Sequence, residues 1–431
     1  MKTEKMKQII FFLIILFGCS FAQGSHTVHV ITLDGVINPV ATDFIRSTIK
    51  EADAAGSECL IIRLDTPGGL MKSMQKIVKD ILAAPIPVVI YIAPPGSRAG
   101  SAGVFITYAA HVAAMAPGTN IGAAHPVTLG MGADSSKGVM MEKITNDAVA
   151  FIRSIAEKRG RNADWAEKAV RESASVPASE ALKLGVVDVV VPTLDSLLNW
   201  LDGREYEVLS AKNVLHTAGA RRIEVEMSWR LKILDVISDP NIAYILLLIG
   251  IYGIFFELYN PGVILPGVVG VISLILAFYA MHTLPVNYAG LLLIFFAIIL
   301  FVAEIKIPSH GLLTVGGIVS FVLGSIMLFK SPVPFLQLSW KVILFAVVVT
   351  ALFFLIAVGF GIRAQRRKPV TGREGMVGES GNAVENFSGG KGQVSIHGEI
   401  WRAESTDTIR KGDPVEVIAV NHLQIKVQKK K

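Results

Sequence analysis

Five apolar stretches within residues 242–362 restrict the possible folds more than any other feature of the sequence. They cover residues 242–258, 262–281, 288–303, 311–329 and 342–362. Each is close to the roughly 20 residues that an α-helix needs to cross a bilayer. Overall, 52% of the residues are hydrophobic and only 18% are charged, which a purely soluble protein would not show. The sequence therefore predicts a membrane domain of about five transmembrane helices over residues 241–362.

Glu257 and Glu304 lie near the ends of two of these stretches. Ionisable side chains inside a membrane are often functional, but a carboxylate near a helix end can also extend to the aqueous interface. The second interpretation is expected for both residues. The glycines of residues 311–324 predict close packing between helices.

Residues 1–22 have the pattern of a secretory signal peptide. A lysine-rich start is followed by an apolar core over residues 9–17 and by the small residues Ser20 and Ala22 of a cleavage site. The mature chain would then begin near Gln23. Lipidation of Cys19 is the alternative, although the bulky residue at position 17 fits it poorly.

A cleaved signal peptide sets the expected orientation of the chain. The part before the apolar stretches would lie outside the cytoplasm, and five crossings would place the C-terminus inside. A basic cluster follows the last stretch, as the positive-inside rule requires: Arg363, Arg366, Arg367 and Lys368. The net charge of +6 therefore reflects topology rather than nucleic-acid binding.

Residues 27–191 alternate short apolar segments with helical patterns. Strands are predicted over residues 28–33, 59–64, 87–92, 111–115 and 186–191, with helices near 39–55, 70–83, 101–110, 143–159 and 164–172. This alternation is typical of an α/β domain with a mostly parallel sheet, which we assign to residues 23–200. Cys59, the only cysteine after position 22, falls within a strand and is expected in the core.

Two soluble segments flank the membrane region. Residues 201–240 are predicted to be a connector that ends in a juxtamembrane amphipathic helix over Trp229–Ile237. Residues 363–431 are predicted to be a basic linker and a small all-β, OB-like barrel, with strands over 392–396, 399–403, 414–420 and 423–427. Phe387 and Trp401 are too few aromatic residues for an oligonucleotide surface, so a docking role is expected.

Ser101 stands in a small-residue turn between the strand 87–92 and a helical pattern. A serine in such a turn lies at the positive end of a helix, where backbone N–H groups stabilise a developing oxyanion. The pattern therefore makes Ser101 a candidate nucleophile. The alternative is that the small residues serve close packing, with Ser101 only an N-cap.

Residues 65–69, Asp-Thr-Pro-Gly-Gly, follow the strand 59–64. The double glycine, Gly68 and Gly69, lets the backbone turn its N–H groups toward a neighbouring site, as an oxyanion hole requires. The N–H of Ala102 is the other natural donor. An ordinary Pro-Gly turn is the alternative.

The candidate general base is Lys143, at the expected start of a helix. A positive helix end and partial burial disfavour the ammonium form and would allow a lysine to act as a base. Lys137 competes for this role, and His111 and His125 are close in sequence without forming a recognisable triad pattern. Residues 127–140 are predicted to be a mobile loop or lid. The sequence contains no cluster of metal ligands and no P-loop, so neither a metal nor a cofactor is expected.

Taken together, several ordered motifs resemble the long-form NfeD family, membrane-bound serine proteases of the ClpP class. The motifs cover residues 64–69, 94–96, 101–103, 115–123 and 143–146. The resemblance implies a ClpP/crotonase-like fold, Ser101 as nucleophile, Lys143 as general base, and Gly68 and Gly69 with the Ala102 N–H in the oxyanion hole. It also implies stomatin-like or flotillin-like membrane partners, apolar peptide substrates and a homo-oligomer, for which a dimer is expected. Arg98 departs from the family's pattern.

Two other functions remain open at this point. One is a non-catalytic membrane scaffold for stomatin-like proteins, with a decayed protease domain. The other is a crotonase-like acyl-transfer enzyme that uses the same oxyanion geometry on a thioester. The presence of both Ser101 and Lys143 argues against the scaffold, and export of the domain argues against cytosolic thioesters.

Overall fold

The computed structural model describes residues 26–127, 136–209, 211–259, 262–307, 309, 311–329, 331, 336–365 and 375–430. The predicted signal peptide with Cys19 lies outside the described residues, and so do positions 128–135 of the predicted lid and residues 366–368 of the basic cluster. The chain divides into two compact units. The first comprises residues up to 296 together with 319–346, and the second comprises 297–318 together with the residues from 347 onward.

The α/β domain of the first unit is built from short strands and helices in alternation. Its strands are β1 (Thr27–Asp34), β2 (Cys59–Asp65), β3 (Val88–Ile92), β4 (Arg98–Gly100), β5 (Val112–Met115), β6 (Asn120–Gly122), β7 (Ser175–Pro177), β8 (Val189–Val190), β9 (Glu205–Val208), β10 (Ala211–Val214) and β11 (Arg221–Glu224). Its helices are α1 (Pro39–Ala54), α2 (Met71–Leu82), α3 (Ala102–Ala109), α4 (Ser136–Arg159), α5 (Ala163–Arg171), α6 (Ala178–Lys183) and α7 (Leu194–Leu201).

A parallel sheet in the order β11-β1-β2-β3-β5-β8 lies at the centre of this domain. The strands β2, β3 and β5 are apolar and buried on both faces, because helices cover both sides of the sheet. The predicted α/β fold with a mostly parallel sheet is therefore confirmed. Cys59 is fully buried in β2, as expected, and burial raises the pKa of its thiol.

A second, three-stranded sheet in the order β4-β6-β7 was not predicted, because each of its strands has only three residues. It carries the segment just before Ser101.

The predicted connector also differs from the structure. Its residues 221–224 form β11, which pairs in parallel with β1 at the edge of the main sheet, and β9 and β10 form a hairpin.

Helix α8 (Trp229–Ile237) has the bounds predicted for the amphipathic helix. Leu231 packs against the core of the α/β domain, and Asp235 accepts a hydrogen bond of 2.8 Å from Asn38 Nδ2 in α1. Trp229 is 68% exposed and Ile233 is 49% exposed. The helix is therefore docked on one side while part of its apolar surface remains uncovered.

The apolar part of the chain folds into helices at the predicted places. They are α9 (Pro240–Tyr259), α10 (Ile264–Thr283), α11 (Tyr288–Lys306), α12 (Leu312–Leu328) and α13 (Trp340–Gln365). By length and composition, Pro240–Leu258 and Ile264–His282 could each cross a membrane, whereas the described apolar parts of the other three are shorter. These shorter parts are Tyr288–Glu304, Leu312–Leu328 and Trp340–Ile356.

Glycines allow close helix crossings within the first unit. A Cβ added to Gly253 in α9 would lie 2.8 Å from the Cα of Gly270 in α10. A Cβ on Gly324 in α12 would lie 2.8 Å from the carbonyl oxygen of Gly290 in α11. The close packing predicted for residues 311–324 is confirmed at Gly324.

Glu304 caps the apolar helix that follows it. Its side chain is buried, and the carboxylate accepts hydrogen bonds from Ser309 Oγ at 2.6 Å, Gly311 N at 2.9 Å and Thr314 N at 3.0 Å. It therefore caps the start of α12, whose first N–H groups have no partner within the helix. Glu257 Oε2 is also buried, and it has no hydrogen-bond partner within the described part of the chain.

The C-terminal part of the second unit is a closed barrel in the order β12-β13-β14-β16-β15. Its strands are β12 (Ser380–Ala383), β13 (Lys391–Ile396), β14 (Glu399–Glu404), β15 (Pro414–Asn421) and β16 (Gln424–Lys429). Alternate side chains of these strands form a core of their own. The predicted small all-β barrel is confirmed, with β12 as an additional strand.

Candidate active site

Ser101 occupies a strained turn between β4 and the buried helix α3. Its backbone has φ 50° and ψ −108°, a conformation that non-glycine residues rarely adopt. The turn is held by a hydrogen bond of 3.1 Å from Ser101 N to the carbonyl oxygen of Gly122 in β6. A serine on such a strand-to-helix turn presents its hydroxyl away from both elements.

Ser101 stands at the N-cap position of α3, but its side chain accepts no capping hydrogen bond from the helix. Within the described residues its hydroxyl has no hydrogen-bond partner at all. The N-cap alternative therefore does not account for the serine. Close packing does account for Gly103, since a Cβ there would lie 2.7 Å from Thr66 Cγ2.

The loop after β2 brings Gly68 directly against the serine. A Cβ on Gly68 would lie 2.6 Å from Ser101 Cβ and 3.1 Å from Ser101 Oγ, and the φ of Gly68 is +122°. Ile37, which follows β1, fixes the other side of this loop. Its N–H donates to Gly68 O at 2.8 Å, and its carbonyl oxygen accepts from Leu70 N at 2.8 Å. A Cβ on Gly69 would lie 2.1 Å from Ile37 O, so only glycine fits there.

The backbone N–H groups predicted for the oxyanion hole differ in availability. Gly68 N–H donates to Thr66 Oγ1 at 3.1 Å and is already engaged. The N–H groups of Gly69 and Ala102 have no acceptor among the residues that the structure describes. The Ala102 N–H opens α3 and lies at the positive end of that helix. Gly69 and Ala102 are thus the donors left free beside Ser101.

The predicted position of Lys143 at a helix start is wrong. Helix α4 begins at Ser136, seven residues earlier, because residues 136–142 continue the helix into the segment predicted as a lid. Lys143 is exposed on this helix, and within the described residues it makes no hydrogen bond or ion pair. A helix N-terminus therefore does not act on its ammonium group. No hydrogen bond joins its Nζ to Ser101 Oγ.

The other candidate bases lie at different distances from Ser101. Ser101 stands at the N-terminal end of α3 and His111 just past its C-terminal end, so the two are about 12 Å apart along the eight-residue helix. It accepts a hydrogen bond from Val88 N at 3.1 Å. Burial and the neighbouring Arg159 lower its pKa to about 3, which leaves it a neutral, structural residue. The side chain of Lys137 lies outside the described residues.

His125 follows β6 by three residues, and β6 pairs with the strand that leads into Ser101. Its Nδ1 lies 2.8 Å from the carbonyl oxygen of Val170, which acts as the acceptor. This bond places the proton of a neutral imidazole on Nδ1 and leaves Nε2 as the free acceptor. Apart from its proximity to Ser101, no sequence pattern marks this residue.

Arg98 extends into solvent from the exposed side of β4, and its backbone N–H donates to Asp65 Oδ1 at 3.0 Å. The unexpected basic residue therefore positions the loop through its main chain. Ile37 is a site residue that sequence reasoning missed, because its backbone contacts carry no local sequence signal. Thr66 and Gly122 lie within the motifs 64–69 and 115–123, but their bonds to Gly68 N and Ser101 N were not predicted. In the described part of the chain, no group of three or more His, Cys, Asp or Glu side chains is arranged to hold a metal.

The sequence matches three family descriptions in chain order. Residues 27–225 match the NfeD1b N-terminal domain, residues 241–359 the NfeD integral membrane domain, and residues 373–429 the NfeD-like C-terminal, partner-binding domain. The membrane-bound protease PH1510 of Pyrococcus horikoshii is 36% identical over 434 residues, which cover 97% of each chain. The membrane protein NfeD1b of Bacillus subtilis is 29% identical over 310 residues, covering 68% of this chain and 66% of the relative.

Two solved structures are similar to about half of this chain, and both are described as membrane proteases specific for stomatin or a stomatin homolog. The 1510-N membrane protease specific for a stomatin homolog from Pyrococcus horikoshii is 33% identical and covers 50% of this chain and 99% of its own, with a TM-score of 0.43. A lysine-to-alanine variant of the 1510-N membrane-bound stomatin-specific protease, solved with a substrate peptide, is 34% identical over 49% of this chain and 98% of its own, with a TM-score of 0.46.

Proposed function

Because the chain belongs to the NfeD family, we propose that it is a membrane-anchored serine endopeptidase in which Ser101 is the nucleophile and Lys143 the general base. The observation that carries this proposal is the turn at Ser101. A strained serine with an unbonded hydroxyl lies against Gly68, and the N–H groups of Gly69 and Ala102 are free beside it. This is the arrangement that acyl transfer requires.

The proposed reaction is peptide hydrolysis through an acyl-enzyme. Neutral Lys143 accepts the Ser101 proton as Oγ attacks the peptide carbonyl carbon, and the N–H groups of Gly69 and Ala102 bind the oxyanion. Lys143 then transfers that proton to the leaving amine as the C–N bond breaks. The same lysine then deprotonates a water molecule, whose oxygen attacks the acyl carbon, and it returns that proton to Ser101 Oγ as the ester C–O bond breaks.

Lys143 has to approach Ser101 for this chemistry, because its exposed side chain bonds neither to the serine nor to any other described residue. Catalytic hydrogen bonds often tighten only when substrate is bound. The proposal therefore includes a rearrangement, on substrate binding, of the part of α4 that carries Lys143. His125 is the alternative base, since the bond from its Nδ1–H to Val170 O leaves Nε2 as the acceptor.

The proposed substrates are apolar peptide segments of membrane-associated proteins. The relative from Pyrococcus horikoshii is named a membrane-bound protease, and the solved structures are described as specific for stomatin. We therefore propose a stomatin-like or flotillin-like partner, with the C-terminal barrel as its docking module. The match of residues 373–429 to a partner-binding domain supports this assignment.

We also propose the orientation and assembly expected from the sequence. The protease domain lies outside the cytoplasm, the barrel lies inside, and the protein is a homodimer. A C-terminal tag that an impermeant reagent labels in intact cells would contradict the orientation. The mass of the detergent-solubilised chain, measured by light scattering, tests the dimer.

The test of the catalytic proposal is fluorophosphonate labelling of the full-length protein in nanodiscs, followed by cleavage of apolar-rich peptides. Labelling and cleavage should both be lost in Ser101→Ala. Lys143→Ala should lose cleavage, whereas His125→Ala should retain it. If His125→Ala loses cleavage and Lys143→Ala retains it, the base has been misassigned. If the wild-type protein neither labels nor cleaves, the scaffold function replaces the enzyme.

A further inference from the structure

A large cavity lies where the α/β domain meets the first apolar helices, apart from the groups that perform the proposed chemistry. Its volume is about 870 Å³, within the range of sites that bind small molecules or peptide side chains. One wall is formed by the segment after β1, and another by β11 and α8. The remaining wall comes from residues at the ends of the apolar helices. All of these elements belong to the first unit.

Apolar side chains line this cavity on both sides. Val36, Phe44 and Met227 contribute from the α/β domain, and Leu284 and Leu336 contribute from the segments that connect the apolar helices. A ligand that covers this apolar surface removes it from water, and this favours the binding of apolar groups. The cavity is thus placed to receive a segment at the level where the membrane domain begins.

The cavity wall is directly bonded to the candidate oxyanion loop. Ile37 and Leu70 both line the cavity, and Ile37 is hydrogen-bonded on both sides of Gly69, to Gly68 O and Leu70 N. Gly68 in turn touches Ser101. The cavity wall and the turn of Ser101 are therefore linked through one loop, residues 68–70.

The rim of the cavity carries an excess of carboxylates. Among its lining residues are five carboxylates and two cationic side chains: Asp34, Glu224, Glu226, Asp235 and Asp239, with Arg63 and Lys232. The cations are already paired, Arg63 with Glu224 at 2.8 Å and Lys232 with Glu226 at 2.7 Å. Asp34 has no hydrogen-bond partner among the described residues. A concave site with this charge attracts cations and repels anions.

We propose that this interfacial cavity is a substrate subsite that binds an apolar peptide segment bearing a lysine or arginine. The proposal rests on the proposed protease function. The apolar side chains occupy the space lined by Phe44, Leu284 and Leu336, and the basic side chain faces Asp34 at the rim. The segment then continues past Ile37 and Gly69 to Ser101.

A lipid is the competing occupant, since its acyl chains would also cover the apolar lining. The headgroup would then face the rim. The phosphate of a phospholipid would lie beside unpaired Asp34 and the other carboxylates, which is an unfavourable contact. Charge complementarity therefore favours a basic peptide.

The test compares three fluorescent peptides that share one apolar segment and differ only in a flanking Lys, Gln or Glu. Binding to full-length Ser101→Ala in nanodiscs is measured by anisotropy, and cleavage by the wild-type protein is measured in parallel. The Lys peptide should bind at least tenfold more tightly than the Glu peptide. Asp34→Asn should reduce this preference at least threefold, because the bound basic side chain loses the negative charge that it faces. Val36→Trp, which fills the cavity, should weaken all three peptides.

Asp53→Asn, an exposed aspartate of α1 distant from the cavity lining, is the control for loss of one negative charge and should leave the preference intact. If the three peptides bind equally, the subsite proposal is wrong. If Ser101 is still labelled by fluorophosphonate in that case, the proposed protease function stands. If binding ignores peptide charge and falls as lipid is added, the cavity holds lipid and the inference is wrong. Absence of both labelling and cleavage, with the charge preference intact, would overturn the protease function instead.

Discussion

Replacing Gly68 by alanine should disable Ser101 without unfolding the protein. The new Cβ would lie 2.6 Å from Ser101 Cβ, whereas ordinary van der Waals contact begins at 3.4 Å. One of the two residues must move by nearly 1 Å. The alanine would also have to adopt the φ of +122° that Gly68 has, at a cost of roughly 1–2 kcal/mol.

The size of the effect follows from this displacement. A misplacement of about 1 Å at a reacting group can lower the rate about 100-fold, equivalent to about 2.7 kcal/mol in activation free energy. The free energy of unfolding should fall much less, by roughly 1–2 kcal/mol. We therefore expect fluorophosphonate labelling of Ser101 and peptide cleavage to slow about 100-fold, while the thermal midpoint drops by only a few degrees.

Gly96→Ala is the matched control. Gly96 also has a positive φ, +95°, but a Cβ there would contact nothing within 4 Å. It should lose similar stability and retain its labelling rate. The reasoning is refuted if Gly68→Ala labels as fast as the wild-type protein at an unchanged thermal midpoint, or if Gly96→Ala loses as much activity.

Three further predictions concern stability, measured on the full-length protein in detergent. Glu304→Gln should lower the free energy of unfolding by about 2 kcal/mol, because the amide nitrogen cannot accept both bonds made by Oε2; an unchanged midpoint would show that α12 needs no such cap. Asp188→Asn should cost about 3 kcal/mol, since it removes the ion pair of buried Arg161 at 2.5 Å, whereas Asp164→Asn, at the exposed partner of Arg153, should cost less than 1 kcal/mol. Burial holds the pKa of His111 at about 3 in the fold against an ordinary 6.5, so the unfolded chain binds the proton first and stability falls as the pH drops from 6.5 toward 3. At pH 5 the loss is about 2 kcal/mol; His111→Asn, which keeps an acceptor for Val88 N, should show a smaller loss over this interval, and an identical pH profile would contradict the assignment.

The strands β2, β3 and β5 could be predicted from the sequence because sheet burial on both faces leaves continuous apolar runs. The β-like alternation around residues 222–227 indicates a strand near β11, but its place at the sheet edge could not be predicted, since it depends on pairing with β1, almost 200 residues away in sequence. The small strands β4, β6 and β7 are equally dependent on distant partners. Their three residues each carry too little pattern to detect.

The candidate site likewise has parts that local sequence motifs predict and parts that depend on contacts with distant residues. The motifs around Ser101 and Gly68 identified the turn and the loop, because both need small residues in unusual conformations. The pairing of Ile37 with that loop is a tertiary contact that no local pattern reveals, whereas the bond from the Gly68 N–H to Thr66 Oγ1 is a local turn contact over two residues. The start of α4 was missed because residues 136–142 include a glycine and lack a clear apolar period, so they read as a loop.

The edge strand β11 fixes the distance between the candidate active site and the apolar helices. It is hydrogen-bonded into the sheet at residues 221–224, and the apolar helix α9 begins at Pro240, with docked α8 as the only helix between them. Ser101 follows the short strand β4, which comes after β3 in the chain, and β3 lies three strand spacings from β11, about 14 Å. The sheet therefore holds the candidate nucleophile at a fixed distance from the strand that leads to the apolar helices. Such an enzyme would select its cleavage point by distance from the edge of an apolar segment as much as by the residues around the bond.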